Sequence, residues 1–260
     1  SNDGFSLVEL SIVLVILGLL TGGILTGQNL IRAAELRSVT TEFARFQSAA
    51  NQFRDRYFAL PGDMPNATLF WGAATNCSSN SEVLSGGTCN SPDVNGIIGR
   101  TSFDGEGAAK REHYLAWQQL ALAGLIEGTY DGLPQAHIDD AVAGINVPSS
   151  RLGGSVGWCF GAGRHSYYLP PQQYQFSFDA TLTVGGTEGA NQGCADGKAF
   201  TAEESWSIDK KMDDGLPARG RIVSALPLDC TTGNHHNLDA LYQVDEKQQN
   251  NCALSFIDAY

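Results

Sequence analysis

The sequence predicts an α+β protein: one long N-terminal α-helix packed on a small antiparallel β-sheet head with long, disulfide-stapled loops. Three observations carry that expectation. Apolar residues run from Leu10 to Ile31 without a charge and continue at helical spacing to Tyr57; short alternating runs recur in the C-terminal half; and the six cysteines all lie beyond residue 70, in Gly-, Ser-, Thr- and Asn-rich stretches.

The helix comes first. No charged residue stands between Glu9 and Arg32, and a run of that length spans a bilayer as a helix. A cleaved secretory signal has an apolar core of only about 7–15 residues. This run is longer, and its pattern continues: Leu36, Val39, Phe43, Phe46, Ala50, Phe53 and Tyr57 recur at three and four residues and draw one stripe. A helix from Phe5 to Tyr57 would be about 80 Å long at the α-helical rise. Its lower half can bury the stripe against the head. Its upper half is apolar all round, so lipid or other helices must cover it, and bundling with copies of itself does so. Gly18 with Gly22 and Gly23 with Gly27 have GxxxG spacing, which permits close helix approach and weakens the helix locally. Ordinary membrane-helix composition accounts for these glycines equally well.

Glu9 is the informative residue of this segment. A carboxylate at the edge of an apolar span is costly to bury without a partner. The nearest basic residue in sequence is Arg32, which leaves a free amino terminus, created by cutting the chain nearby, as the candidate.

Gly4-Phe5-Ser6-Leu7-Val8-Glu9-Leu10 and the apolar run behind it resemble the processing signature of type IV pilins and pseudopilins. In that family a peptidase cuts after the glycine. This motif covers only the N-terminal segment, about the first thirty residues. The resemblance implies that Gly4 ends the leader, that Phe5 becomes the N-methylated terminus, and that Glu9 pairs with the terminus of a neighbouring subunit. Ser1-Asn2-Asp3 lacks the basic residues such leaders normally carry, so residues 1–4 are a leader remnant or a segment that remains uncut. The organisation implied is residues 1–4 as remnant, 5–31 as transmembrane and polymerisation helix, 32–60 as its amphipathic continuation, and 61–260 as the globular head. The implied partners are the chain itself, the inner membrane before assembly, the prepilin peptidase and the pilus assembly machinery. The implied function is a structural subunit of an extracellular filament for adhesion, motility or related surface functions. A minor tip pilin or adhesin, or a type II secretion pseudopilin, is the alternative.

In the head, Leu60-Pro61-Gly62-Asp63-Met64-Pro65 reads as a turn, and the helix should stop before Pro61. Ala59 to Gly72 also resembles the start of the head in a group of environmental pilin-like proteins. Residues 73–107 lack periodicity and read as a long loop. A second helix is expected from about Lys110 to Glu127, with Tyr114, Trp117, Ala121 and Leu125 near one face and Gly128 as its stop. Val156 to Phe160, Tyr174 to Phe178, Ala180 to Val184 and Arg221 to Ala225 are candidate strands. Thr201 and Glu204 form a capping-box pattern that opens a short helix through Met212, ended by Gly215.

The cysteines Cys77, Cys89, Cys159, Cys194, Cys230 and Cys252 form no CxxC pair, which favours disulfides in an oxidising compartment over zinc. Sequence does not fix their connectivity; short loops make Cys77–Cys89, Cys159–Cys194 and Cys230–Cys252 the first choice.

Residues 1–57 are neutral overall, so the net charge of -12 resides in the head. Such a surface offers no phosphate-binding footprint, and no nucleic acid is expected as a ligand of the head. No GxSxG, HExxH or phosphate-binding Gly-rich motif occurs, so no catalytic residues are assigned. No cofactor is expected, with one qualification. Asp93 and Asn95, with Asp104 and Glu106, resemble fragments of oxygen-rich calcium loops, although EF-hand spacing is absent and plain solvated turns have the same composition. Asp209, Asp213 and Asp214 are a second such group, but Asp213 to Pro217 is similar to a structural Asp-Asp-Gly-x-Pro turn of the pilin-like group. His235-His236 reads as an exposed loop.

Overall fold

The computed structural model describes residues 6–75, 77, 86–91, 94–98, 112–133, 141–161, 180–187, 195–225, 230–233, 237–244, 249 and 251–260. Within them, helix α1 spans Leu7–Tyr57, α2 Ala67–Trp71, α3 Glu112–Leu122 and α4 Ala202–Met212. The strands are β1 Val156–Gly161, β2 Thr181–Gly186, β3 Ile222–Ser224 and β4 Leu254–Phe256. The strands form one sheet in the order β1-β2-β4-β3, antiparallel throughout. This is the α+β architecture of a long N-terminal helix on a small antiparallel sheet.

Period-two alternation decides which side of the sheet meets α1. The registers Trp158↔Val184, Phe160↔Leu182, Val184↔Leu254 and Leu182↔Phe256 put all these large side chains on one face. Cys159, Thr183 and Ser255 fall on the other, where the Thr183 and Ser255 hydroxyls share a hydrogen bond at 2.9 Å. The apolar face receives the α1 stripe. Phe43 stacks on Phe256 with centroids 4.3 Å apart, while Phe46 meets Trp117 and Trp158 edge-on at 4.9 and 5.6 Å. Trp117 in turn packs on Phe160 at 4.2 Å, locking α3 against β1. Each of these rings buries a large apolar area, which helps hold helix to head.

The helices agree with expectation at α1 and α4 and differ at the end of α3. Helix α1 ends at Tyr57, before the turn at Pro61 as expected, because Phe58 adopts φ 56° and donates its N–H to Arg54 O at 2.8 Å; a left-handed residue ends a helix wherever it occurs. Helix α3 stops at Leu122, because Gly124 at φ 71° donates to Ala121 O and Leu125 to Leu120 O, a Schellman closure that makes Gly124 the terminator in place of Gly128. Residues Glu112 to Leu120 are buried all round, so the single apolar face expected of this helix is not what it presents. The strands lie within a residue or two of the expected Val156–Phe160, Ala180–Val184 and Arg221–Ala225. Helix α2 and strand β4 were not anticipated, and the expected strand at 174–178 lies outside the described residues.

The spine helix, its joint with the head, and the candidate assembly surface

From Leu7 to Ile31 the large apolar side chains of α1 are exposed, and the segment is apolar enough and long enough to cross a membrane. Among the described residues, nothing from the head covers it. No atom beyond the helix's own backbone stands within 4 Å of where a Cβ would sit on Gly18, Gly22, Gly23 or Gly27. Packing inside the subunit therefore does not require glycine at these positions. The helix is unbroken there, and Thr21 donates to Leu17 O at 2.8 Å while Thr26 donates to Gly22 O at 2.9 Å.

At the start of α1, Ser6 is the N-cap. Its side chain accepts the N–H of Val8 at 3.3 Å, and Glu9 Oε2 accepts the N–H of Ser6 at 2.9 Å, a complete capping box. Gly4 and Phe5 lie outside the described residues.

The head takes hold of α1 at Arg32, the charge that ends the apolar run. Its guanidinium donates from Nε to Glu204 Oε1 at 2.6 Å and from Nη2 to Glu204 Oε2 at 2.8 Å, and it reaches Glu35 Oε2 at 3.2 Å. The bond to Glu204 raises the Arg32 pKa against the effect of burial. Burial pushes the Glu204 carboxyl up, but its bonds to Arg32 and Thr201 outweigh this and hold it below the usual carboxylate range. Glu204 is also the N3 residue of the α4 capping box, accepting the N–H of Thr201 at 2.9 Å while Thr201 Oγ1 accepts the Glu204 N–H at 3.1 Å.

One turn beyond Val39, Glu42 is buried among aromatics and fully used. It accepts Trp158 Nε1 at 2.7 Å, Ser150 Oγ at 2.8 Å and Arg151 N at 2.9 Å. Sequence reasoning passed over it. The available signal was an acid standing on an otherwise apolar stripe, three residues after Val39 and four before Phe46, where only a bonded carboxylate is tolerated.

Asp209, Asp213 and Asp214 converge, with carboxylate oxygens within 4.8 Å of one another. Their oxygens serve the chain. Asp209 accepts Tyr242 OH at 2.8 Å and Gly215 N at 3.0 Å, Asp213 Oδ2 accepts the N–H groups of Arg221 and Ile222, and Asp214 Oδ1 accepts Leu216 N at 2.8 Å. The group closes the turn from α4 into β3. Of the calcium candidates, Asn95 accepts Ile97 N at its side chain and donates its own N–H to Asp63 at 3.2 Å; Asp93, Asp104 and Glu106 lie outside the described residues, as does His235-His236.

Cys77 is bonded to Cys89 and Cys230 to Cys252. Cys159 is also disulfide-bonded, and Cys194 lies outside the described residues.

No curated protein and no solved structure matches the chain. A family match is found at one place, the N-terminal segment that holds the capping box and most of the apolar run: residues 1–25 match the prokaryotic N-terminal methylation motif, which supports a type IV pilin-like family for this chain.

Proposed function

We propose that this chain is a structural subunit of a type IV pilus-like filament, polymerising through its apolar N-terminal segment, residues 5–31, with the head turned outward. The observation that carries the reading is the exposed apolar length of α1 from Leu7 to Ile31, which the chain's own head leaves bare. Apolar area of this extent finds cover only in lipid or in like helices. Two states follow in order: held in the inner membrane, then bundled with other copies in a surface filament. The prepilin peptidase, which cuts after Gly4, and the pilus assembly machinery are its partners on the way. Glu9 supplies the register. Near the headgroups its carboxylate stays hydrated, but in a dry helix bundle an unpaired charge would cost several kcal/mol. The amino group of a second copy, freed at Phe5, offsets that cost only when the subunits dock at one height.

The test is Glu9→Ala, quantified in membrane and sheared-filament fractions. The variant should be expressed, inserted and cleaved as the parent is, and be sharply depleted from filaments. Wild-type incorporation would show that Glu9 is not the assembly contact. Mass spectrometry of the main filament band separates a major subunit from a minor tip pilin or adhesin, which would be present in few copies. Filaments seen only with an active type II secretion system would indicate a pseudopilin.

A further inference from the structure

Asn66-Ala67-Thr68 has the N-x-S/T form that accepts asparagine-linked sugars, with no proline in the middle. Three letters match often by chance, so the surroundings decide. Asn66 is exposed in the turn ahead of α2, and its side chain makes no bond to the backbone that follows. An asparagine at that place ordinarily accepts an N–H of the first turn. Here Asn90 has taken over the task, its Oδ1 accepting the Thr68 N–H at 2.9 Å. Asn90 is held for it on both sides, by Cys89 in its disulfide to Cys77 and by Ser91, whose N–H reaches Met64 O at 2.8 Å. The Asn66 carboxamide is thus left without a part in the fold, and neither it nor the Thr68 hydroxyl has a hydrogen-bond partner among the described residues. Three and four positions on, Leu69 and Phe70 are 82% and 54% exposed. Apolar side chains in water add nothing to the fold, and a bulky hydrophilic group anchored one helical turn away would cover them. The second match, Asn76-Cys77-Ser78, has its asparagine outside the described residues.

We propose that Asn66 is an N-glycosylation site of the head. Its Nδ2 forms a bond to C1 of an activated sugar, the phosphate or pyrophosphate ester carried on C1 departs with the bonding electron pair, and the amide proton passes to a base of the transferase. The co-reactant is a sugar linked through that ester to a nucleotide or a lipid. Thr68 supplies the recognition hydroxyl two positions on. Access requires only local opening. Helix α2 has five residues, and a helix that short has little stability of its own. The stretch from Asn66 to Thr68 can therefore extend into a transferase cleft while α1 and the sheet stay folded. The attached glycan stands at the end of α1 remote from the apolar run, beside Tyr57, whose ring meets Phe70 edge-on at 5.1 Å. There it turns an aromatic end of the head into a hydrophilic one. The site holds whichever filament the subunit joins.

The experiment takes the full chain from its native cells, in membrane and sheared-filament fractions, and reads the peptide containing Asn66 by mass spectrometry. Each sample is measured before and after an amidase that removes asparagine-linked glycans and leaves aspartate behind. The parental peptide should carry a sugar mass and show the asparagine-to-aspartate change on release. Asn66→Gln and Thr68→Ala should lose the modification, and Thr68→Ser, which keeps the hydroxyl, should retain it. A parental chain in which the Asn66 peptide is found only unmodified would overturn the proposal. So would a sugar that survives Asn66→Gln, which would place it on a hydroxyl, or one that survives Thr68→Ala. The readout is covalent and does not depend on docking, so parental filament levels in Glu9→Ala would sink the assembly reading and leave this site untouched.

Discussion

The indole N–H of Trp158 donates to Glu42 Oε2 at 2.7 Å, tying the first strand of the sheet to the spine helix across 116 positions of sequence. The hydroxyl of Ser150 and the backbone of Arg151 complete the set, so one carboxylate from α1 gathers three donors from β1 and the segment that leads into it. Glu42→Ala would strand all three in a buried site. The head should lose about 3 kcal/mol, since each unsatisfied buried donor costs about 1–3 kcal/mol and relaxation recovers part. Glu42→Gln keeps one acceptor oxygen and should lose roughly half as much. Urea titration of the full chain in detergent, followed by tryptophan fluorescence, measures both, and equal stability of the two variants would contradict this account.

Gly62 is held by geometry that no other residue meets. Its φ is 82°, and a Cβ there would stand 2.2 Å from the carbonyl oxygen of Glu112. Gly62→Ala should therefore destabilise the head by about 3 kcal/mol or more, combining backbone strain with displacement of α3. A loss below about 1 kcal/mol in the same titration would show that α3 yields freely.

The stability of the head should fall as pH rises through neutrality. Burial, opposed by the Tyr242 and Gly215 bonds and reinforced by Asp214 and Asp213, raises the Asp209 pKa from 3.8 to about 7. The folded state therefore binds the proton more tightly than the unfolded chain does. That contribution is complete below about pH 4 and is lost progressively toward and through pH 7. Glu204 acts in the opposite sense, being depressed, and its contribution is lost only on acidification below the carboxylate range. Between about pH 5 and pH 8 the Asp209 contribution changes while that of Glu204 does not. Asp209→Asn should flatten the stability profile across that interval, and an unchanged slope would remove Asp209 as the cause.

The Arg32 bridge to Glu204 is partly exposed, at 32% and 16% of the side-chain areas, so solvent screens it. A double-mutant cycle with Arg32→Ala and Glu204→Ala should give a coupling of about 1 kcal/mol, above a typical surface pair because two hydrogen bonds run in parallel. A coupling indistinguishable from zero would mean that aromatic packing alone sets the joint.

In the filament, residues Gly18 to Gly27 should lose helical hydrogen bonding, although α1 is continuous in the free subunit. Four glycines make this its weakest stretch. A filament reconstruction with unbroken helix from residue 5 to residue 57 would refute the expectation.

The features legible in the sequence were those encoded locally. The charge-free run, the Leu36 to Tyr57 stripe and the Thr201–Glu204 box each sit inside one element and announce it. Strand β4 escaped notice because three residues, Leu254 to Phe256, carry too little alternation; its pairing with Leu182 to Val184 and Ile222 to Ser224 is what makes it a strand. Glu42 escaped because its partners lie more than a hundred positions away, and from α1 alone it looks like an interruption of the stripe. The end of α3 was misplaced because Gly124 and Gly128 are equally good stops on paper, and the choice depends on which carbonyls remain free to be closed.

The position of β4 has a consequence for how the molecule is made. In the sheet order β1-β2-β4-β3 it lies between two strands that precede it in the chain, so β2 and β3 have no shared neighbour until Leu254 to Phe256 arrive. The Phe256 ring that stacks on Phe43 arrives with them. A chain threaded through a membrane from its N-terminus would therefore export most of its head before the sheet could close. Until then the aromatic stripe of the spine would stand open to chaperones, to proteases and to the wrong neighbour, and any quality control of such a subunit would fall at the very last stage of its passage.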